Sequence, residues 1–403
     1  MESLAIIAEF NPFHTGHARL IRQVRQAAGP EAAIVIIMSG AFVQRGEPAF
    51  FDKWHRAAWA IDGGADVVIE LPAVYALSSA AGFAQGGVTL AARLGCQALA
   101  CGVEGGTAAD FLSLARRSEG LTACLKAAKK SSAGQQLTDA LMAAAPDEAR
   151  LLQQPNALLA FEYARAMLKQ EQPLTFLPLP RQGRHGDTGL GAAFASASAL
   201  RQAMTDHPGD GKPYISYIVE RVRPSLQDQL AQGAFTDYGR YGDFVASHNR
   251  LLTPDQLRSL PAFTEGLENR WHRAFMESGS YDQALRSIKT RRYAYSRLCR
   301  MGAYTLLQPS RDLMDCSYEA GPQYARLLAL NSRGAAFLKG AKGQLPVVTK
   351  VHSDAPGLSP LGQEQLKLDL KASDIQSFCF SKESQRKGRQ DYYHSPFFLS
   401  IKK

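Results

Sequence analysis

The chain has 403 residues, 45% of them hydrophobic and 21% charged, which is enough to bury a sizeable core and excludes a disordered or fibrous chain. Its six cysteines, at 96, 101, 124, 299, 316 and 379, are too few for a disulfide scaffold and form no CxxC pair and no zinc-type spacing, which argues against a thiol-disulfide enzyme and suits a reducing cytoplasm. Residues 1–200 hold 17 basic and 17 acidic side chains and residues 201–403 hold 29 and 20, so the whole net charge of +9 lies in the second half.

That asymmetry suits a polyanion held by one part of the molecule, and a solvated cationic surface is the plainer alternative. Met1 to Phe10 carry two acids and no Lys or Arg, the wrong charge for a signal peptide. No apolar run reaches the ~18 residues of a membrane span, and no membrane partner is expected.

In chain order, Leu4 to Ala8 is an uninterrupted apolar run, as in a strand buried on both faces of a parallel sheet. Ala18, Ile21, Val24 and Ala28 recur at helical spacing, and Gly29-Pro30 stops that helix. Strands are predicted at Ala33 to Met38, Asp66 to Glu70, Gln97 to Cys101 and Leu174 to Leu177. Helices are predicted at Lys53 to Ile61 and Ser79 to Leu94. Units of this kind argue for right-handed crossovers and ligands at the carboxyl ends of the strands. His207-Pro208-Gly209-Asp210-Gly211 is a turn-rich break. Beyond it helices are predicted at Leu267 to Met276, Tyr281 to Leu307, Tyr324 to Leu330 and Gly334 to Lys342, with one short strand at Pro346 to Val351. The expected fold class is therefore α/β. Residues 1–205 form a doubly wound parallel sheet carrying the catalytic site, and residues 206–403 a mostly helical, basic domain. Ser381 to Lys403 is polar, then aromatic, and its structure does not follow from pattern.

The loop after the first strand ends in His14-Thr15-Gly16-His17, at the start of a helix. A helix amino terminus offers free N–H groups and a positive dipole end to phosphate, Gly16 admits a ligand to the backbone, and two imidazoles three apart can reach oxygens of one anion. A capping histidine and half of a metal site are the plainer alternatives. Strand, H-x-G-H, helix resembles the nucleotidyltransferase superfamily that includes class I aminoacyl-tRNA synthetases and small adenylyltransferases.

Longer strings narrow the likeness. Ile7-Ala8-Glu9-Phe10-Asn11-Pro12-Phe13-His14-Thr15-Gly16-His17, Met38 to Ala49, Val68-Ile69-Glu70-Leu71-Pro72, Gln154-Pro155-Asn156, Ser196-Ala197-Ser198-Ala199-Leu200-Arg201 and Lys289-Thr290-Arg291-Arg292-Tyr293 resemble the bacterial tRNA(Met) cytidine acetate ligase family over nearly the whole chain. The resemblance implies activation of acetate by ATP as acetyl-adenylate, then acetylation of N4 of the wobble cytidine of elongator tRNA(Met). It implies ATP contacts over Ile7 to Phe13, His14 to His17 and Ala18-Arg19-Leu20, and at Gly102, Asn156 and Arg181.

His14 and His17 suit the charge that develops around the α-phosphate. Ser196 and Arg201 suit the β- and γ-phosphates and the departing pyrophosphate; Ser196 as a plain helix cap and Asn156 as an N-cap are the alternatives. The loop Ser39 to Ala49, with Gln44, Arg45 and Glu47, faces the same cleft and is expected to position acetate or the cytosine, or to be a structural turn. Lys53 is a further phosphate candidate. The trio His185-Gly186-Asp187 reads as a surface loop, and the Lys126 to Gln136 stretch has no clear match in the family pattern. No Walker-type GxxxxGK[ST] is present, which leaves a P-loop ATPase unsupported. Mg²⁺ can accompany ATP, but no protein ligand for it is evident.

Lys289 to Arg300 puts five basic residues and two tyrosines into twelve positions. As one helix, Lys289, Arg292, Tyr293, Ser296 and Arg300 would share a face, with Arg297 on its border and Arg291 pointing away. Cations for phosphates with aromatics for an unstacked base suit a single-stranded RNA loop. Lys289, Arg291, Arg292, Tyr293, Arg297 and Arg300 are the RNA-binding candidates. A small-molecule adenylyltransferase would not need this basic half, and a non-catalytic RNA-binding protein would leave the H-x-G-H motif idle.

Overall fold

The computed structural model describes residues 2–124, 133–181, 195–290, 292–340 and 345–400. Among these residues eight strands form one sheet: β1 (Ser3–Ala8), β2 (Ala33–Ser39), β3 (Val67–Leu71), β4 (Ala98–Val103), β5 (Thr175–Pro180), β6 (Ala325–Asn331), β7 (Val347–Val348) and β8 (Phe397–Leu399). The spatial order is β5-β4-β1-β2-β3-β6-β7, with β8 also paired to β6. The first five strands are mutually parallel.

Alternate side chains explain the continuous apolar runs. Ala5, Ile7, Val35, Ile37, Val67 and Ile69 enter the core on one face, and Leu4, Ile6, Ile34, Ile36, Met38 and Val68 enter the core on the other. The helices Thr15–Ala28 and Lys53–Asp62 cover the second face, through Ala18, Ile21, Val24, Ala57 and Ile61. The helices Ala80–Arg93 and Pro155–Met167 cover the first. With both faces dry, each buried Ile or Val contributes about 1.5–3 kcal/mol, so no polar alternation is left in the sequence.

β1 runs on to β2 and β3 in one direction, while β4 and β5 lie on its other side. The order reverses between β1 and β4, and the crevice at their carboxyl ends is where such a sheet receives a ligand.

Two expectations for the second half are corrected. Tyr324 to Leu330 is not a helix: Ala325–Asn331 is β6, antiparallel to β3, with Val67 opposite Leu330 and Glu70 opposite Arg326. A short segment after Gly321-Pro322, apolar except for Arg326, fits a buried strand or a helix by pattern, and pairing with the free edge of β3 decides. Tyr281 to Leu307 is not one helix but two, Tyr281–Ile288 and Tyr295–Leu307. Between them the Thr290 hydroxyl accepts from Tyr293 N at 3.2 Å, a local side-chain bond that competes with the helical ladder. The sheet thus continues past the turn at 207–211, completed by three strands of the second half. The stretch 126–132, most of Lys126 to Gln136, and the His185-Gly186-Asp187 trio lie outside the described residues. Among the described residues, no helix is long and apolar enough to cross a membrane.

Candidate active site

The loop from β1 delivers His14 as the N-cap of the helix Thr15–Ala28. His14 Nδ1 accepts from Gly16 N at 3.0 Å, and His17 Nδ1 accepts from His14 N at 3.3 Å. The pair is a reciprocal capping box built from two histidines. Capping and ligand binding are compatible here. Each Nδ1 is used as an acceptor, so the proton of a neutral ring sits on Nε2, which the cap leaves unused. The rings lie 3.8 Å apart, centroid to centroid, with Phe10 packed 4.8 Å from His17. Gly16 makes room for the motif itself, since a Cβ there would meet His14 Cε1 at 2.8 Å. Burial, aided by the Arg181 charge, lowers the His14 pKa to about 4. Burial also lowers the His17 pKa well below its ordinary value, with the charges of His14 and Arg181 adding to it. Both rings are neutral donors at pH 7.

Gly102, Asn156 and Arg181, remote in sequence, meet at the carboxyl ends of β4 and β5. Arg181 N donates to Val103 O at 2.8 Å, and its Nη1 donates to Asn156 Oδ1 at 3.1 Å. A Cβ on Gly102 would meet Arg181 Cγ at 2.7 Å, so the glycine lets the arginine lie across the strand end. Glu104 accepts from Asn156 Nδ2 and, at 3.2 Å, from Ala157 N. Asn156 is therefore not an N-cap. Gln154 occupies that position, and Asn156 sits in the first turn with its amide tied to Glu104 and Arg181.

Ser196 does cap the helix Ala197–Asp206, its Oγ accepting from Ala199 N at 3.2 Å. That helix aims Arg201 at the first loop. Arg201 Nη1 donates to Asn11 O at 2.8 Å, and Nη2 lies 3.3 Å from Glu47 Oε1. The loop after β2 closes the other side, with Gln44 N donating to Glu9 Oε1 at 2.8 Å. Burial raises the Glu9 carboxyl against the opposing pull of the Gln44 N–H and Arg45. Three distant strings of the sequence thus converge on residues 9–17.

Lys53 does not face this crevice. It is 2% exposed, its Nζ 2.8 Å from Glu70 Oε2 and 2.7 Å from Asp391 Oδ1. Burial alone would lower its pKa; the charges of Asp391 and Glu70 outweigh that and raise it. It is a structural cation, not a phosphate ligand. The basic stretch also departs from the expected single face. Lys289 ends one helix, Arg292 and Tyr293 lie in the connection, and Arg297 and Arg300 belong to the next helix. Arg292 pairs with Glu265, and the guanidiniums of Arg292 and Arg297 lie 5.8 and 5.2 Å from the centre of the Tyr293 ring. Arg291 lies outside the described residues.

The family model for HIGH Nucleotidyl Transferase matches residues 1–391. The tRNA(Met) cytidine acetate ligase of Syntrophomonas wolfei is 34% identical, over 98% of this chain and 99% of its own. The one from Thermotoga maritima is 31% identical, over 97% and 99%. The chain belongs to the tRNA(Met) cytidine acetate ligase family. A crystal structure of Thermotoga maritima TmcAL bound with alpha-thio ATP superposes at a TM-score of 0.91, with 30% identity and 100% of both chains covered.

Sequence reasoning missed Arg56. It is fully buried, and its guanidinium donates to Phe51 O at 3.0 Å, Glu9 O at 2.6 Å, Ser39 O at 3.0 Å and Gly40 O. It ties the end of β2 to the loop that carries the family's H-x-G-H motif. Its signal in the sequence is faint. Asp52 caps the helix Lys53–Asp62, and Arg56 follows one turn on, just before the buried Ala57, where an apolar residue would be expected.

Proposed function

We propose that this chain is an ATP-dependent ligase that activates acetate and acetylates N4 of the wobble cytidine of elongator tRNA(Met). The observation that carries the reading is the meeting of His14, His17 and the Gly102–Asn156–Arg181 cluster at the strand-order reversal, in a family whose Thermotoga maritima member is known with alpha-thio ATP bound.

ATP lies across the crevice between β1 and β4, its phosphates over the amino terminus of the helix Thr15–Ala28. The Nε2–H groups of His14 and His17 donate to the phosphate oxygens. Because both imidazoles are neutral beforehand, they add no charge that would have to be desolvated, and they are already oriented by the capping box. Arg181 faces the same anion, and Gly102 and Asn156 form the adjoining wall. Arg201 and the Ser196 hydroxyl lie towards the departing pyrophosphate. Mg²⁺ enters only as a companion of the triphosphate.

An acetate oxygen attacks the α-phosphorus, and the bond to the β-phosphate oxygen breaks, giving acetyl-adenylate and pyrophosphate. The cytidine amine then attacks the acetyl carbonyl, the carbon–oxygen bond to AMP breaks, and the amine loses one proton. The amine lone pair is delocalised into the ring, so positioning supplies much of the rate. The basic second half holds the RNA.

Pure protein incubated with ATP, radiolabelled acetate and tRNA(Met) should place label in the RNA and release AMP and pyrophosphate. Pyrophosphate without labelled RNA would instead favour a small-molecule adenylyltransferase. RNA binding with neither product would favour a non-catalytic binder.

A further inference from the structure

A pocket of about 370 Å³ opens between the helices Tyr295–Leu307 and Arg311–Ala320, lined by Arg297, Arg300, Arg311, Tyr304, Tyr318 and Asp315 among others. Its volume falls within the ~300–1,000 Å³ range of small-ligand sites. Three guanidiniums against one carboxylate leave a surplus of two positive charges in the lining, and none of the four groups forms a salt bridge among the described residues.

Each arginine is held by backbone carbonyls. Arg297 Nη2 donates to Ala262 O at 3.3 Å and Arg300 Nη1 to Gln44 O at 3.2 Å. Arg311 Nη2 donates to Arg258 O at 2.7 Å and Phe263 O at 2.8 Å. A guanidinium carries five N–H donors in a fixed fork, so these anchors fix the planes and leave donors over. Burial lowers the pKa of both Arg297 and Arg300. Holding like charges together and partly dry is unfavourable until an anion enters.

The pocket is close to the chemistry. Gln44 accepts from Arg300 through its carbonyl and donates to Glu9 through its N–H. One residue of the loop after β2 therefore bridges this pocket and the loop that carries His14.

We propose that the pocket receives one unstacked nucleotide of the RNA substrate, with its phosphodiester on Arg297, Arg300 and Arg311 and its base against Tyr304 and Tyr318. The inference rests on the reading of RNA as second substrate and adds the place where a nucleotide near the reacting cytidine is gripped. A free nucleotide such as ATP is the other source of the same chemistry.

The test measures affinities of the full chain for tRNA(Met) and for ATP across a salt series, with Arg311→Gln and Asp315→Asn. Arg311→Gln should weaken tRNA binding about tenfold and lower the salt slope by about one. Asp315 is exposed and, among the described residues, without a salt bridge; its neutralisation should tighten tRNA binding about twofold. A purely structural loss at Arg311 gives no reason for the opposite sign at Asp315. Unchanged or weaker tRNA binding by Asp315→Asn, or a loss by Arg311→Gln in ATP affinity rather than tRNA affinity, would overturn the pocket. Acetylation of tRNA by the wild type under those outcomes leaves the proposed function standing. A wild type that neither binds nor labels tRNA defeats both.

Discussion

At the scale of single residues, His14 is the position where stability and the proposed phosphate contact are coupled. Its pKa falls from 6.5 to about 4, chiefly through burial, which corresponds to about 3 kcal/mol of preference for the neutral ring. A base with a depressed folded pKa takes up its proton more readily when unfolded. Its contribution is therefore complete above pH 6.5 and is lost as pH falls from 6.5 towards 4. Urea unfolding of the wild type should weaken over that window. His14→Asn keeps an N-cap acceptor but not the titration, so its stability should fall less steeply. Parallel pH curves for the two proteins would sink the argument. Much of this site is legible in sequence because its geometry is local: residues 14 and 17 are three apart at a helix start, and the cap fixes both rings. Lys53 is misread for the opposite reason. Its partners, Glu70 and Asp391, lie beyond the helix it begins, one of them near the far end of the chain, and no local pattern reports them.

Among elements, the loops after β1 and β2 owe their shape to Arg56. Four carbonyls, of Glu9, Ser39, Gly40 and Phe51, turn inward, and the buried guanidinium satisfies them. Burial brings its pKa down to about 10, so it remains charged at pH 7. Arg56→Met would leave those carbonyls without a donor at a cost of about 3–5 kcal/mol, read as a lower urea midpoint with an unchanged slope. The loop carrying His14 should loosen as well, raising the KM for ATP. A variant as stable as the wild type would show that water or neighbouring donors replace the guanidinium. β1 to β4 are readable because both faces are buried and each run is almost wholly apolar, whereas β5, half-buried, is marked by Leu174 to Leu177 alone. β6 is not readable, since Leu327-Leu328-Ala329 favours a helix by composition and only the open edge of β3 makes it a strand. The split at 289–294 is hidden too. Its basic residues continue the helical spacing, but Thr290 bonds Tyr293 in place of the ladder.

For the whole molecule, the uneven charge and the shared sheet have to be reconciled. The basic excess does lie in the second half, where the arginine pocket sits, and the nucleotide motifs lie in the first. The fold nevertheless joins the two halves: β6 pairs along β3, and Asp391 reaches the buried Lys53. The core face built on Val35, Ile37, Val67 and Ile69 continues through Val245, Trp271 and Leu298. A fragment of residues 1–205 would expose that apolar face, leave the edge of β3 unpaired and deprive Lys53 of Asp391. Such a fragment should aggregate or lack a cooperative thermal transition, while the full chain melts in a single step by circular dichroism. Adding residues 206–403 in trans should restore acetate-dependent pyrophosphate release only if the two pieces reassemble. A soluble 1–205 fragment with its own sharp transition would show instead that the parallel strands fold unaided, and that β6 to β8 are an addition to a finished domain.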